Sequence, residues 1–317
     1  MIKGDCIMSV WGRSKLIAVL CAVTVIVIMV LAGLWATKTA PTEGKTALDI
    51  TNRVCVPILL YHTIQIPKEN LGTFCITPSE LENDLIYIRE NGYTTVHLKD
   101  LIDYCYKGAP LPEKPLVITF DGGYESGYQY AYPLLKKYES KAVFSVVGAN
   151  IDEASALQSG STAFLRWKEL REVTESGLVE VVNQSYDLNR YMDGTRKGTA
   201  KLRNETLPEY MAVLNKDIGQ MQEETYDKTG ILPLAFCYPY GIICRESVDI
   251  IGEMGFAATL SSEPGVNYLS GNPDELFGLR RNIRPHGMAS EDVFDKMLRV
   301  RVVWNSVTPV ITYTDYD

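Results

Sequence analysis

The residues with most chemical potential lie at the ends of apolar runs. In VITFDGGYESGY (117–128) a β-branched run delivers Asp121 and is followed at once by Gly122 and Gly123. A carboxylate held at a strand tip can act as a general base or as a cation ligand. His62 closes a second run, CVPILLYH (55–62), and adds an imidazole able to move a proton near neutral pH. Gln184, Asp187 and Asn189 follow a third run, LVEVV (178–182), while Tyr238, Pro239 and Tyr240 end a fourth, LAFCYPYG (234–241). Neither H-E-x-x-H nor G-x-S-x-G occurs, which removes the common zinc-protease and serine-hydrolase motifs. The Gly122-Gly123 pair lacks the spacing and the lysine of a phosphate-binding P-loop.

Helix signals alternate with these runs. In ITPSELENDLIYIRENG (76–92), Thr77 reads as an N-cap, Pro78 as the first helical residue and Glu80 as the partner in a capping box. Leu81, Leu85 and Ile88 then recur at i, i+4 and i+7, which sets one apolar face. Thr206 and Glu209 begin a second capping box, followed by a stripe of Met211, Leu214, Ile218 and Met221. Further helices are predicted over 99–108, 128–138, 164–177 and 245–255, and further strands over 94–98, 115–120, 141–147 and 256–260. Such alternation implies an α/β domain with a parallel sheet and helices outside it, either a barrel or a doubly wound sheet. In both, chemistry gathers at the C-terminal ends of the strands, where His62, Asp121, the 183–189 segment and Tyr238–Gly241 fall.

Residues 16–36, LIAVLCAVTVIVIMVLAGLWA, contain no charge. At about 1.5 Å per residue such a helix spans a hydrocarbon core of roughly 30 Å. A cleaved signal peptide has a shorter apolar core, about 7–15 residues, so the run is read as an uncleaved transmembrane anchor. Lys3, Arg13 and Lys15 precede it, which predicts a cytoplasmic tail over 1–15 and an extracytoplasmic main domain at the plasma membrane. Residues 37–53 read as a polar linker with Pro41 and Gly44 as breakers, and 54–317 as one domain.

The chain carries 31 basic and 39 acidic side chains, net −8. Residues 1–36 hold three of the basic and one of the acidic ones, leaving 28 against 38 in the rest. No basic stripe is visible, which argues against a nucleic-acid partner. Five cysteines (Cys55, Cys75, Cys105, Cys237 and Cys244) lie beyond the anchor with no C-x-x-C pair, and their spacing selects no disulfide pattern.

From about Val54 to Met297 the chain resembles the polysaccharide deacetylase family (carbohydrate esterase family 4). The resemblance is carried by PILLYH, VITFDGGY, VEVVNQSYDLN, AFCYPYG and LRRNIRPHGMASEDVF. The motif order is similar to the branch in which the acid-bearing strand comes first. It implies a distorted (β/α) barrel in which a divalent metal, usually zinc, holds the water that attacks an N-acetyl group on a sugar. In that family the first motif ends in two aspartates, a general base and a metal ligand. Here the base position is Asp121 and the ligand position is Gly122. The second motif supplies two histidines, and those positions hold Gln184 and Asn189. The family's general acid matches His62. Trp167, Tyr238, Pro239 and Tyr240 fit an aromatic-walled substrate groove, where rings stack on sugar faces; core packing is the competing explanation for each ring. His286, in RPHGM, matches a family stretch without an evident role beyond a loop contact.

A metal lowers the pKa of its bound water from 15.7 to about 7, which is worth roughly 12 kcal/mol towards hydroxide at neutral pH. A positioned base supplies about 10²–10⁴-fold, on the order of 3–5 kcal/mol. Asp121 alone therefore does not replace the ion. Neutral amides at 184 and 189 are poor zinc donors. An all-oxygen set with Asp121 and Asp187 would suit a hard cation such as calcium, but 184 and 189 lie about 140° apart on an ideal helix and converge only on a bent loop. No metal cofactor is expected. The reading is a membrane-anchored deacetylase-like pseudoenzyme that meets N-acetylated polysaccharide or peptidoglycan, or a partner protein, at the cell wall. An active N-deacetylase with an atypical metal site, and a structural domain without ligand, are the alternatives.

Overall fold

Pro57 divides the first apolar run into β1 (Val54–Val56) and β2 (Ile58–Tyr61), because its nitrogen has no proton to give to a strand ladder. The computed structural model describes residues 53–66, 72, 74–157, 162–189 and 196–299. The expected tail, anchor and nearly all of the linker, with residues 16–36 among them, lie outside the described residues. Among those described, no helix is long and apolar enough to cross a membrane.

The remaining strands are β3 (Thr63–Ile64), β4 (Cys75–Ile76), β5 (Thr94–Thr95), β6 (Pro115–Asp121), β7 (Ala142–Val146), β8 (Val179–Asn183), β9 (Ala235–Cys237), β10 (Ala258–Leu260), β11 (Asn267–Leu269) and β12 (Asn282–Ile283). The main sheet runs β10-β9-β8-β7-β6-β2-β12, with β5 beside β6, and every pairing in it is parallel. All seven residues of β6 and all five of β7 are buried, as expected of parallel strands covered on both faces. The sheet curls rather than lying flat. Leu279 bridges to Leu260 at one edge, while Asn282 and Ile283 pair with Leu59 and Leu60 at the other. The expected barrel is thus a curled parallel sheet whose edges meet across the short segment 279–283.

The helices are α1 (Pro78–Glu90), α2 (Leu98–Lys107), α3 (Tyr132–Tyr138), α4 (Gly148–Ala156), α5 (Trp167–Glu175), α6 (Leu207–Thr229), α7 (Arg245–Glu253) and α8 (Ser290–Arg299). Both capping boxes form. At Thr77 the hydroxyl accepts from the Glu80 N–H at 3.2 Å while the Glu80 carboxylate accepts from the Thr77 N–H at 2.8 Å. Thr206 and Glu209 repeat the arrangement at 3.4 and 2.9 Å. Leu81, Leu85 and Ile88 are buried, as are Leu214, Ile218 and Met221, whereas Met211 is only partly covered. The helix expected over 128–138 is split: residues Gly127–Ala131 are π-wound, and the α-helix begins at Tyr132, next to a proline that offers no N–H.

The segment that closes the sheet is locked to α1 by charge. Arg284 donates from Nε to Asp84 Oδ2 at 2.8 Å, and Asp84 also accepts from Tyr61 and Ser290. Glu80 accepts from the Gly287 N–H at 2.6 Å and pairs with His286 Nδ1 at 2.8 Å. Burial would raise the Glu80 carboxyl, but the Thr77 and Gly287 N–H groups and His286 draw it down to about 2. RPHGM therefore acts as a clasp between the sheet closure and α1. The five cysteines among the described residues are free thiols.

Candidate functional site

The parallel registry brings the strand ends named above to one end of the sheet. Asp121 pairs in register with Ser145 of β7, Val146 with Asn183 of β8, and Leu260 of β10 with Cys237 of β9. Asp121 is 5% exposed at the tip of β6. Its carboxylate faces the guanidinium of Arg281, which donates from Nη1 to Oδ1 at 2.6 Å and from Nη2 to Oδ2 at 2.8 Å. Arg281 also donates from Nε to the Ser261 carbonyl at 2.7 Å, so its planar fork is fixed on three sides. Burial by itself would raise the Asp121 carboxyl; the Arg281 charge outweighs it and holds the group below the usual carboxylate range.

Two further groups complete this buried knot. Cys237 Sγ lies 3.5 Å from Asp121 Oδ2 and 3.2 Å from Arg281 Nη2. Burial pushes its thiol up to about 12, so it is protonated and unreactive as a nucleophile. Gln184 Nε2 donates to Asp121 Oδ2 at 3.4 Å. Its Oε1 accepts from the Gly122 N–H at 2.9 Å. The first two positions that the resemblance assigns to metal ligands are therefore bonded to each other.

Gly122 has φ +93, a backbone state that side chains other than glycine's rarely adopt, and a Cβ placed there would stand 2.6 Å from the Tyr124 ring. Tyr124 fills the space into which a ligand side chain at 122 would project. Asn189 is bonded elsewhere: its main-chain carbonyl accepts from Tyr240 Oη at 2.5 Å. The loop between them is held from α6, where Asp217 accepts from the N–H groups of Tyr186 and Asp187, each at 2.9 Å. Ser185, fully buried at φ +76, stores strain in the same turn.

His62 follows β2. Burial lowers its pKa, with Asp121 pulling it up and Arg281 pushing it down, so the ring is largely neutral at pH 7. Its Nδ1 is buried without a hydrogen-bond partner among the described residues, and the ring packs on Phe74 with centroids 5.0 Å apart. His62 and Asp121 thus share one electrostatic neighbourhood.

The aromatic positions divide. Tyr238 is 2% exposed and sits edge-on to Phe236 in a cluster with Tyr210, Ile218 and Phe256. It belongs to the core, because its ring is spent on packing between β9 and α6 and has no face left for a sugar. Pro239 is buried beside it. Trp167 is 8% exposed and donates from Nε1 to Asp152 at 2.7 Å, so it too is chiefly a packing residue. Tyr240 is 45% exposed, the most open of the four, with the Lys197 ammonium 5.7 Å from its ring centroid. Sequence reasoning missed Arg281, Cys237 and Tyr124 as members of the site. The only sequence sign of Arg281 is a charged pair set within the apolar stretch FGLRRNI.

The donor set does not suit zinc. The three positions present no imidazole, thiolate or carboxylate, and no group of three His, Cys, Asp or Glu side chains converges among the described residues. An all-oxygen site is not assembled either. Arg281 covers both carboxylate oxygens of Asp121, Gln184 Oε1 is occupied by Gly122, and the Arg281 charge repels any cation brought beside it.

Residues 108–259 match the sequence family described as polysaccharide deacetylase. Poly-β-1,6-N-acetyl-D-glucosamine N-deacetylase of Escherichia coli (strain K12) is 26% identical over 225 residues, which cover 65% of this chain and 34% of that protein. The match therefore spans about a third of the length of that relative. Among solved structures, the deacetylase PplD of Streptococcus pyogenes superposes with a TM-score of 0.64 at 19% identity, covering 77% of this chain and 99% of that one. The BpsB deacetylase domain of Bordetella bronchiseptica gives 0.60 at 25% identity, covering 74% and 97%. Over residues 108–259 the chain is thus similar in sequence to the polysaccharide deacetylase family, and it shares the curled parallel sheet of the solved deacetylases.

Proposed function

We propose that this protein is a deacetylase-like domain that meets N-acetylated polysaccharide at the cell wall or on extracellular glycan without metal-dependent hydrolysis. Residues 16–36 would anchor it in the plasma membrane, with the N-terminus cytoplasmic and the main domain outside. Homology to poly-β-1,6-N-acetylglucosamine deacetylases supports a glycan as the ligand class. The observation that carries the loss of hydrolysis is the hydrogen bond between Gly122 and Gln184. It turns two ligand positions towards each other, under a tyrosine ring, beside a base already paired with arginine. Asp121 and His62 hold the base and acid positions in this reading, and Tyr240, the most exposed of the groove residues, would meet the sugar.

The test is direct. The full chain, purified in non-ionic detergent, is equilibrated with zinc, dialysed, and analysed for bound metal; acetate release from N-acetylglucosamine oligomers is assayed in parallel. The expected result is substoichiometric metal, no acetate above buffer, and measurable oligomer binding. Stoichiometric zinc together with acetate release would replace this reading with an active N-deacetylase.

A further inference from the structure

A cavity of about 380 Å³ opens next to the candidate site, between residues 63–66 after β2 and residues 124–130 after β6. It adjoins the site at two points. Thr63 follows His62 directly, and Tyr124 is the ring packed over Gly122. Its volume lies at the low end of small-ligand pockets, about 300–1,000 Å³.

The lining has the chemistry of a sugar site with one addition. Tyr124 and Tyr130 supply ring surface, and the side-chain amides of Gln65 and Gln129, which bond no other described residue, offer both donors and acceptors to hydroxyls. The addition is Glu125. Among the described residues no lysine, arginine or histidine lines the cavity, and the Glu125 carboxylate makes no hydrogen bond or ion pair with another of them. Burial, and then the charge of Glu169, push its carboxyl up; Arg166 opposes this, but its guanidinium is bonded to Glu169 at 3.0 Å. A partly buried acid with no ion-pair partner among the described residues is complementary to a cationic ligand.

We infer that this cavity binds a de-N-acetylated glucosamine unit, with Glu125 pairing the ammonium at C2, the amides of Gln65 and Gln129 taking ring hydroxyls, and a tyrosine ring facing the sugar. The inference rests on the glycan-binding reading above and gives it a preference. An N-acetylated unit is neutral and would leave Glu125 desolvated and unpaired, whereas a free amine replaces lost water with an ion pair. The net charge of −8 adds long-range attraction for a polycationic chain. In this assignment the domain reads the product of de-N-acetylation, which a separate amide-hydrolysing enzyme must supply.

Calorimetric titration of the full chain in non-ionic detergent tests this with four probes: glucosamine pentamers linked β-1,4 or β-1,6, and the fully N-acetylated form of each. The linkage that binds identifies the source polymer. Wild type is expected to favour a free-amine pentamer. Glu125→Gln should weaken that pentamer by about tenfold and leave N-acetylated binding unchanged, while Glu125→Lys abolishes it. Glu90→Gln, an exposed acid on α1, should change neither and so controls for general polycation attraction. Equal free-amine affinity in wild type and Glu125→Gln overturns the inference, as does preference for the N-acetylated pentamers, and either result leaves glycan binding intact. Failure of all four probes to bind overturns both readings. Circular dichroism melts of each variant confirm that folding is retained.

Discussion

Replacing Arg281 with methionine removes the guanidinium that pairs with Asp121 while keeping most of the side-chain volume. Among the described residues the carboxylate would then keep the Gln184 amide at 3.4 Å and the Cys237 thiol at 3.5 Å, both long, in a position 5% exposed. Breaking a buried pair from one side costs about 3–5 kcal/mol, because the surviving charge stays desolvated. Asp121→Asn should cost a comparable amount by stranding Arg281. The double variant should recover much of the loss, so the double-mutant cycle yields a coupling of about 2–3 kcal/mol. The pH dependence carries a sign. In wild type the Asp121 carboxyl is depressed, so its contribution is present above the unfolded carboxylate pKa and is lost as pH falls through the folded value. In Arg281→Met burial raises the same carboxyl above its unfolded pKa. The penalty of that variant is then full near neutrality and shrinks on acidification, as protonation removes the stranded charge. Urea midpoints at pH 7 and pH 5 measure both effects. A loss below about 1 kcal/mol at pH 7, or a penalty that does not shrink at pH 5, would refute the view that this pair holds the site.

Gly122→Asp, which restores the family's residue at one ligand position, should destabilise by about 1–3 kcal/mol through its positive φ and its clash with Tyr124, and Tyr124→Ala should relieve part of that in chemical denaturation. Tyr238→Ala should cost about 3–5 kcal/mol as a core truncation, while Tyr240→Ala should leave stability within about 1 kcal/mol and weaken glycan binding, read by denaturation and titration of the same samples. Glu80 is drawn down to about 2, so its contribution is present above its unfolded pKa of about 4.5 and fades from about pH 5 to pH 2. Glu80→Gln should therefore lose about 1–2 kcal/mol at pH 7, after allowing for solvent screening, and show a flatter acid limb in thermal melts.

The sequence by itself determined the features that rest on neighbours along the chain. Thr77 with Glu80 and Thr206 with Glu209 announce their helices because a capping box satisfies orphan N–H groups within four residues. The buried runs of β6 and β7 are legible because both faces of a parallel strand are covered, which leaves a nearly continuous apolar string. With strand–helix alternation, these place Asp121 and His62 at one end of a sheet. Elements of two or three residues, β3, β4, β11 and β12, carry too little periodicity to be read, and α4 lacks a side-chain N-cap bond that would announce it.

Tertiary structure alone decided how the site is wired. Arg281 reaches Asp121 across 160 positions of sequence, and no local pattern encodes a salt bridge of that span. Gln184 and Gly122 read as two vacant ligand positions on paper, and only the fold shows the amide and the N–H satisfying each other. The aromatic residues were ambiguous for the same reason. Tyr238 and Tyr240 are two residues apart, yet one turn of backbone buries the first between β9 and α6 and leaves the second at the surface. Burial depends on what packs from elsewhere in the chain, and hydrophobicity at a single position cannot say which neighbour will arrive.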